Sequence, residues 1–467
     1  MNAKKTVMLI AGIVVFFAVS NIAPPEGLTV ESMKAMGVFL CAVCLWIGDV
    51  FPFFVTCLGM FCGLVLSGAV SFNDGFQGFS SSIYCFMLGA MGISVALTKS
   101  GLMRRISLLI MKLFSPTFKG QSLGLIITGV VINPIVPSVT AKTAMMMPFS
   151  KGVADAMGYE PRSKGMHGIY ASAYVGITLG SFLLYTANFF LVVARGMLPQ
   201  ETQDQFTVGP WLLASLPWTV IIFVLLYFVI QKMFSPEHEK SGISKEYVLN
   251  ELNEMGKLSK KEIISLVILV ISVALWAVEN QTGLPSHVIA VTASVLLLML
   301  GVMDVKDFTQ GVSWNMLIVI GVLFGLSNIF GQLGINEFFA KQVSPLTVVF
   351  GDRQWLLLIG MAVLIYLMRF FLTAQMAAIP IFVTIFLPLC QAAGISPWIC
   401  AFVSATSSNV WNVLYQNTFA MQAYAAYDGE ENIQYGKIAM VSVAYMVINI
   451  IAILLNFPLW KMTGLIA

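Results

Sequence analysis

The chain consists of long apolar runs that are separated by short polar segments. A helix needs about 20 apolar residues to cross the roughly 30 Å hydrocarbon core of a bilayer, and the pattern predicts about eleven such crossings. The predicted spans are residues 7–23, 33–48, 52–70, 83–97, 168–192, 211–232, 263–279, 285–300, 314–331, 395–425 and 438–460.

Two further apolar stretches, residues 121–152 and 355–394, are interrupted near the middle, at Asn133-Pro134 in the first and at Thr373 in the second. Irregular backbone within a bilayer is tolerated only where it is buried in protein or lines a water-filled cavity, because unpaired N–H and C=O groups are costly in lipid. We therefore predict two re-entrant hairpins. The expected fold class is an all-α polytopic membrane protein with about eleven transmembrane helices and two hairpins.

Composition supports a membrane protein. Of the 467 residues, 58% are hydrophobic and 10% are charged, whereas soluble domains contain about 25% charged residues. A net charge of +3, without a basic patch that contains aromatic residues, gives no indication of nucleic-acid binding. Lysine and arginine accumulate in cytoplasmic loops, and here they mark the N terminus and residues 99–119, 151–164 and 235–262. The expected location is the cell inner membrane, multi-pass, with the N terminus cytoplasmic.

The two halves of the chain resemble each other at a constant offset of 233 residues. Shared Asp, Gln, Gly and Pro residues at a fixed register are not explained by hydrophobicity alone. About five crossings separate equivalent points, and this odd number predicts that the halves form an inverted repeat, as in many secondary transporters. The matched pairs are Pro52 and Pro285, Asp74 and Asp307, Gln77 and Gln310, Gly78 and Gly311, Ser80 and Ser313, and Gly101 and Gly334.

The hairpin tips are the predicted binding site. At a broken helix, one half-helix presents free amides that suit an anion and the other presents carbonyls that suit a cation. Ser138, Thr140 and Thr373 add hydroxyl groups at the tips. Lys142 lies just past the first tip and Arg369 just before the second, and charges within a membrane are costly and functional by default. Snorkelling, or pairing with a buried carboxylate, is the alternative explanation for both cations.

Each hairpin is followed by a span with polar interruptions, where a local similarity pairs Tyr185 with Tyr415. Contacts between helices through small and polar side chains are the alternative explanation. The candidate substrate-binding residues are Ser138, Val139, Thr140, Lys142, Thr186, Asn188, Arg369, Thr373, Gln375, Asn412, Tyr415 and Asn417. The candidate ligands of a coupling sodium ion, the one cofactor considered, are Asn133, Ser138, Thr178, Ser404 and Thr406.

Three motifs resemble those of the divalent-anion/sodium symporter family, whose members carry di- and tricarboxylates and sulfate. They are Phe51-Pro52, Pro-Ser-Val-Thr-Ala at 137–141 before Met147-Pro148, and the closing Trp-Lys-x-x-Gly-Leu at 460–465. The resemblance implies a homodimeric elevator-type transporter. No enzymatic activity is expected, because His167, His238 and His287 are scattered along the chain and form no catalytic arrangement. It divides the chain into scaffold helices (1–119), the first hairpin and transport-domain helices (120–234), a cytoplasmic linker (235–262), further scaffold helices (263–344), and the second hairpin with its transport-domain helices (345–467).

The chain departs from the family's Ser-Asn-Thr signature at both tips. The first tip reads Ser138-Val139-Thr140 and the second Phe371-Leu372-Thr373. In the family these residues contact a substrate carboxylate and help to frame a sodium site, so both sodium symport and anion exchange stay open. Fixed cations could replace sodium in neutralising the substrate. The expected cargo is a small organic anion of the di- or tricarboxylate class; a sulfonate, a monoanion, a neutral polar metabolite and, outside this class, a channel are the alternatives.

Overall fold

The computed structural model describes residues 3–134, 136, 138–236, 243–277, 279–339, 341–342, 353–372 and 375–467. This part of the chain forms helices and turns, with one isolated β-bridge between Ile395 and Ile466. The helices of the first half are α1 (Ala3–Ser20), α2 (Val30–Ile47), α3 (Phe53–Leu66), α4 (Phe72–Phe76), α5 (Ser82–Ser100), α6 (Leu102–Lys112), α7 (Phe118–Ile132), α8 (Val139–Ala156), α9 (Lys164–Leu179), α10 (Phe189–Gly196), α11 (Gln200–Gln205) and α12 (Val208–Phe234).

The linker contains helix α13 (Ile243–Glu254), which packs against α6 and α8. The second half then follows the order of the first. Its helices are α14 (Lys260–Ala277), α15 (Glu279–Thr282), α16 (Ser286–Met299), α17 (Val305–Gly311), α18 (Trp314–Gln332), α19 (Gln354–Met368), α20 (Gln375–Ala392), α21 (Pro397–Ser408), α22 (Thr418–Ala425) and α23 (Tyr435–Met462).

Among the described residues, six helices are long and apolar enough to cross a membrane, namely α1, α2, α5, α12, α18 and α23. Several other apolar helices are shorter, including α3, α7, α16 and α19. These helices confirm a multi-pass, all-helical membrane protein. The count of about eleven crossings and the depth of the hairpins in the bilayer stay predictions.

Two predicted spans are wrong as continuous helices. Residues 168–192 are divided between α9 and α10, and residues 395–425 are divided between α21 and α22. In each case an asparagine in extended conformation, Asn188 or Asn417, begins a new short helix. An asparagine side chain that caps a helix satisfies amides that a continuous helix would bond internally, so the polar interruptions are real breaks.

The repeat is visible in the local structure. Helices α3 and α16 each contain 14 residues and follow Pro52 and Pro285, and Gly68 and Gly301 come after them with the same positive φ of 69°. Helix α5 packs on α16, and its counterpart α18 packs on α3. Such an exchange of equivalent contacts is what a two-fold relation between the halves produces.

The broken helices lie at the centre of the molecule. Every residue of α9 after Lys164 is buried, and so is every residue of α21 from Trp398 onward. By contrast, Gly12 is the one buried residue of α1. A membrane helix that is buried all round is surrounded by protein rather than lipid, which meets the condition for irregular backbone at membrane depth.

Candidate functional site

The first half contains an unwound segment between α9 and α10. After Leu179 the chain makes two 3-10 turns, Gly180–Leu183 and Tyr185–Ala187, before Asn188 starts α10. The Oδ1 atom of Asn188 accepts from Phe190 N at 2.9 Å, and its Nδ2 atom donates to Ser181 Oγ at 2.8 Å. The Asn188 side chain therefore holds both ends of the break together.

Lys142 connects this segment to the first hairpin. Ser138 caps α8, with its Oγ accepting from Ala141 N at 3.2 Å, and the fully buried Lys142 lies one turn further on. Its Nζ donates to Ala187 O at 2.9 Å and to Asn133 Oδ1. Asn133 ends α7 and donates through Nδ2 to Gly176 O at 3.0 Å. The ammonium group thus joins the hairpin break to the unwound segment of α9 and α10.

Arg369 makes comparable contacts in the second half, from the other side of the tip. It ends α19, is fully buried, and donates from Nε to Ser408 O at 2.9 Å. Its Nη1 and Nη2 atoms donate to Leu372 O and Gln416 O. Asn417 caps α22 as Asn188 caps α10, accepting from Phe419 N at 3.0 Å. The guanidinium group therefore binds carbonyl oxygens on both sides of the break between α21 and α22.

The two halves share one feature of this arrangement, although their cations come from opposite sides of the tips. Ala187 and Gln416 each precede the capping asparagine, and each binds a buried cation through its carbonyl oxygen. The residues two positions after each cap, Phe190 and Phe419, contact each other, with ring centroids 5.6 Å apart. Equivalent residues touch across a two-fold axis, so this contact places the two capped helix ends on either side of that axis.

The predicted pairing of Tyr185 with Tyr415 is wrong by one residue. The caps Asn188 and Asn417 fix an offset of 229, so the counterpart of Tyr185 is Leu414, which likewise begins a 3-10 turn. Tyr185 is buried, whereas Tyr415 is 53% exposed. Sequence similarity around a helix break does not define which residues of the two halves are equivalent. The hydrogen bonds of the capping asparagine define it.

Two amide groups at the second tip are incompletely bonded. Gln375 Nε2 and Asn417 Nδ2 both donate to Asn409 Oδ1, at 3.3 and 3.1 Å. Gln375 Oε1 and Asn409 Nδ2 are buried and make no hydrogen bond within the described structure. A buried polar group left unpaired costs about 1–3 kcal/mol. A donor and an acceptor are therefore available beside Arg369. Sequence reasoning missed Asn409, and the end of helix α21 at this residue was the one signal that could have identified it.

The other candidate residues are dispersed. Val139 and Thr186 are buried near the first tip, whereas Thr140 is exposed. Asn412 is half-buried, and its Nδ2 is 3.2 Å from Met446 Sδ. Thr373 lies outside the described residues. The structure thus brings together Lys142 with Asn133, and Arg369 with the group formed by Gln375, Asn409 and Asn417.

The candidate sodium ligands differ in how they are bonded within the protein. The Asn133 oxygen accepts from the Lys142 ammonium, and a cation placed there would be repelled by it. The hydroxyls of Thr178 and Thr406 donate to carbonyls one turn earlier, at 2.7 and 2.8 Å. Ser404 Oγ is buried without a partner in the described structure. No cluster of three His, Cys, Asp or Glu side chains that could hold a metal occurs among the described residues.

Comparison with known proteins agrees with this architecture. The sequence profile described as "Sodium:sulfate symporter transmembrane region" matches residues 3–466. Dicarboxylate transporter 1 of Spinacia oleracea chloroplasts is 23% identical over 411 residues, which is 86% of this chain and 71% of that protein. The inner membrane protein YbhI of Escherichia coli K12 is 24% identical over 408 residues, 84% of each chain.

The citrate/succinate antiporter of Escherichia coli K12 is 23% identical over 310 residues, 65% of this chain and 63% of that protein. The chain thus spans between 63% and 84% of the length of these relatives. The solved structure of Neisseria gonorrhoeae MtrF, described among antimetabolite efflux pumps, superimposes with a TM-score of 0.59 at 14% identity, covering 98% of this chain and 95% of that one. This structural likeness concerns the fold.

Proposed function

Because this chain belongs to the sodium:sulfate symporter transmembrane-region family, we propose that it is a secondary transporter that exchanges one small di- or tricarboxylate for another without sodium. The observation that carries the proposal is the pair of buried cations, Lys142 and Arg369, that bind main-chain carbonyls at the breaks of both halves. Carbonyls of unwound helices are the groups that bind coupling cations in secondary transporters. Here covalently attached cations take that position.

Fixed cations favour exchange over symport for an electrostatic reason. A charged side chain at the centre of a bilayer costs at least about 2.5–3.5 kcal/mol. A carrier with two such charges is neutralised when a dianion is bound, and it is left with a net charge of about +2 at its site when empty. The empty carrier therefore reorients unfavourably, whereas a carrier reloaded with a second dianion returns readily. In a symporter, by contrast, the bound sodium ions leave together with the substrate, so the empty carrier does not keep their charge.

The site chemistry and the relatives support a hydroxylated dicarboxylate as cargo. Two carboxylates match two cations, and the unpaired Gln375 Oε1 and Asn409 Nδ2 suit a hydroxyl group, which both donates and accepts. The printed names of the relatives include dicarboxylate transport and citrate/succinate exchange. A monoanion or a neutral metabolite would leave one or both cations uncompensated, so the match of charge argues against both.

Counterflow in proteoliposomes tests the proposal. Vesicles containing the purified protein are loaded with unlabelled L-malate, succinate, citrate, sulfate or taurine, and uptake of radiolabelled L-malate is measured in sodium chloride and in choline chloride. We expect uptake that requires internal dicarboxylate and has the same rate in both salts. Sodium-driven uptake into vesicles without internal anion would refute exchange and favour symport.

The transport cycle is proposed to follow the family architecture. The proposal includes a homodimer in the cell inner membrane, a cytoplasmic N terminus, and an elevator motion of the hairpin segments against the scaffold segments. The relative YbhI is an inner membrane protein, and the exchanged packing of α5 on α16 and of α18 on α3 provides a helical frame that meets the broken helices where α18 contacts α10. Crosslinking of cysteine pairs, with one cysteine on the frame and the other on a hairpin segment, tests the motion. Different pairs should crosslink when the site faces one side of the membrane and when it faces the other.

A further inference from the structure

Another buried cation, Arg195, lies away from both hairpins, in the last turn of α10. Arg195 is 7% exposed, and its guanidinium group lies over the ring of Tyr185, with 4.7 Å from Cζ to the ring centroid. Its Nε donates to Phe206 O at 3.3 Å and its Nη2 to Gln203 O. Nη1 makes no hydrogen bond within the described residues. One donor of a buried charge is therefore available to a ligand.

This donor lies at a polar cleft of about 100 Å³. One wall is formed by α10 and α11 and the other by the start of α5 and by α18. The walls meet closely, since a Cβ atom at Gly196 of α10 would lie 2.2 Å from Phe324 Cδ2 of α18. The lining residues are Gln77, Gly78, Ser81, Ser82, Ile83, Arg195, Gln200, Gln203, Asp204, Phe324 and Asn328.

The start of α5 adds a second source of positive potential to the cleft. Ser81 caps this 19-residue helix, and its Oγ accepts from Tyr84 N at 3.3 Å. The amides of the first turn have no acceptor within a helix, and Ser82 and Ile83, which carry two of them, line the cleft. A helix N-terminus favours anions through these amides and through its dipole.

We propose that this cleft is a second anion subsite, which receives a carboxylate group of the transported anion before or after it occupies the site between the hairpins. A guanidinium with a spare donor and a helix N-terminus together form a carboxylate-binding set. Tyr185, which lies under Arg195, belongs to the 3-10 turn that ends at Ala187, the residue bound by Lys142. The identity of the ligand rests on the proposed function; the existence of the subsite does not.

Asp204 controls the charge of the cleft. It is exposed at the rim, and its Oδ1 accepts from Gln200 Nε2 at 2.8 Å. Its carboxylate opposes the binding of an anion at Arg195 and lowers the affinity of the subsite. The nearby Glu201 is an exposed carboxylate on the same short helix α11 that does not line the cleft. Asp204→Asn and Glu201→Gln are therefore matched substitutions that remove one charge each.

The test compares the KM and kcat of L-malate exchange for these two variants and for Arg195→Gln. We expect Asp204→Asn to lower KM about two- to fivefold, Glu201→Gln to leave it unchanged, and Arg195→Gln to raise it about tenfold or more with little change in kcat. An unchanged KM for Asp204→Asn would overturn the subsite. So would an Arg195→Gln variant that has only a lower melting temperature, since that is the signature of a purely structural arginine.

A binding measurement separates this inference from the proposed function. Melting temperatures of the purified wild-type protein and both acid variants are titrated with L-malate and with sulfate. If the wild-type protein exchanges no malate, the proposed function fails. The titration still shows whether the cleft binds an anion. A tighter anion response of Asp204→Asn than of Glu201→Gln supports the subsite, and identical responses refute it.

Discussion

Replacing Lys142 by methionine removes a buried charge at nearly constant volume. An ammonium group has three donors, of which Ala187 O and Asn133 Oδ1 engage two. The third is free to bind a substrate carboxylate. Loss of a hydrogen bond to a charged group costs about 1.5–3 kcal/mol, so we expect the KM for L-malate to rise roughly 10- to 150-fold.

The same substitution also acts on the protein itself. It leaves the two acceptor oxygens of Ala187 and Asn133 without a donor, at about 1–3 kcal/mol each. These oxygens then become available to an external cation. We therefore expect Lys142→Met to acquire a dependence on sodium: saturating sodium should restore part of the malate affinity, whereas choline should not. Malate exchange by the wild-type protein should not change when choline replaces sodium.

The assay is malate counterflow in proteoliposomes at several sodium concentrations, with yields of folded protein measured in parallel. Lys151→Met is the matched control, because Lys151 is on the same helix but at 25% side-chain exposure and is paired with Asp155 at 3.2 Å. It should retain wild-type KM. A Lys142→Met protein that is folded and has an unchanged KM would show that the ammonium group is structural and would refute its role in substrate binding.

Two further predictions concern the stability of the fold. Asn188→Ala and Asn417→Ala each remove a helix cap, and each should reduce the free energy of unfolding by about 0.5–2 kcal/mol, by similar amounts because the caps are equivalent; a loss confined to one would contradict the two-fold relation. Arg105→Gln breaks a buried pair with Glu262, whose charged atoms are 2.6 Å apart, and should destabilise by about 3–5 kcal/mol. Arg104→Gln, which breaks the neighbouring exposed pair, should reduce the free energy of unfolding by less than about 1 kcal/mol. Denaturant unfolding in detergent measures the stability of both arginine variants.

Local signals located the breaks between helices well. The first was expected to break at Asn133-Pro134, and α7 ends at Ile132 while α8 begins at Val139. Proline and the residue before it disfavour continued helix irrespective of the surroundings, so sequence reasoning is reliable here. The offset of 233 residues between the halves also held through Gly68 and Gly301, because positive φ favours glycine in both halves.

Contacts between distant segments were beyond such reasoning. Lys142 was expected either to snorkel, to pair with a carboxylate or to act at the site, and the structure buries it against Ala187, which is 45 residues away. Asn409 was missed because nothing local distinguishes it from other polar residues between α21 and α22. Its significance arises from Gln375 and Asn417, which converge on its oxygen.

The sequence by itself determined that the chain is an apolar, duplicated helical protein with two interrupted apolar stretches and a cation beside each interruption. Hydrophobic length, proline chemistry and glycine conformation are local properties that a linear pattern carries. Only the tertiary structure decided what the cations bind. Carbonyl oxygens are present at every residue, so which of them are freed from helices and brought to Lys142 and Arg369 depends on how the broken helices pack around the two-fold axis at Phe190 and Phe419.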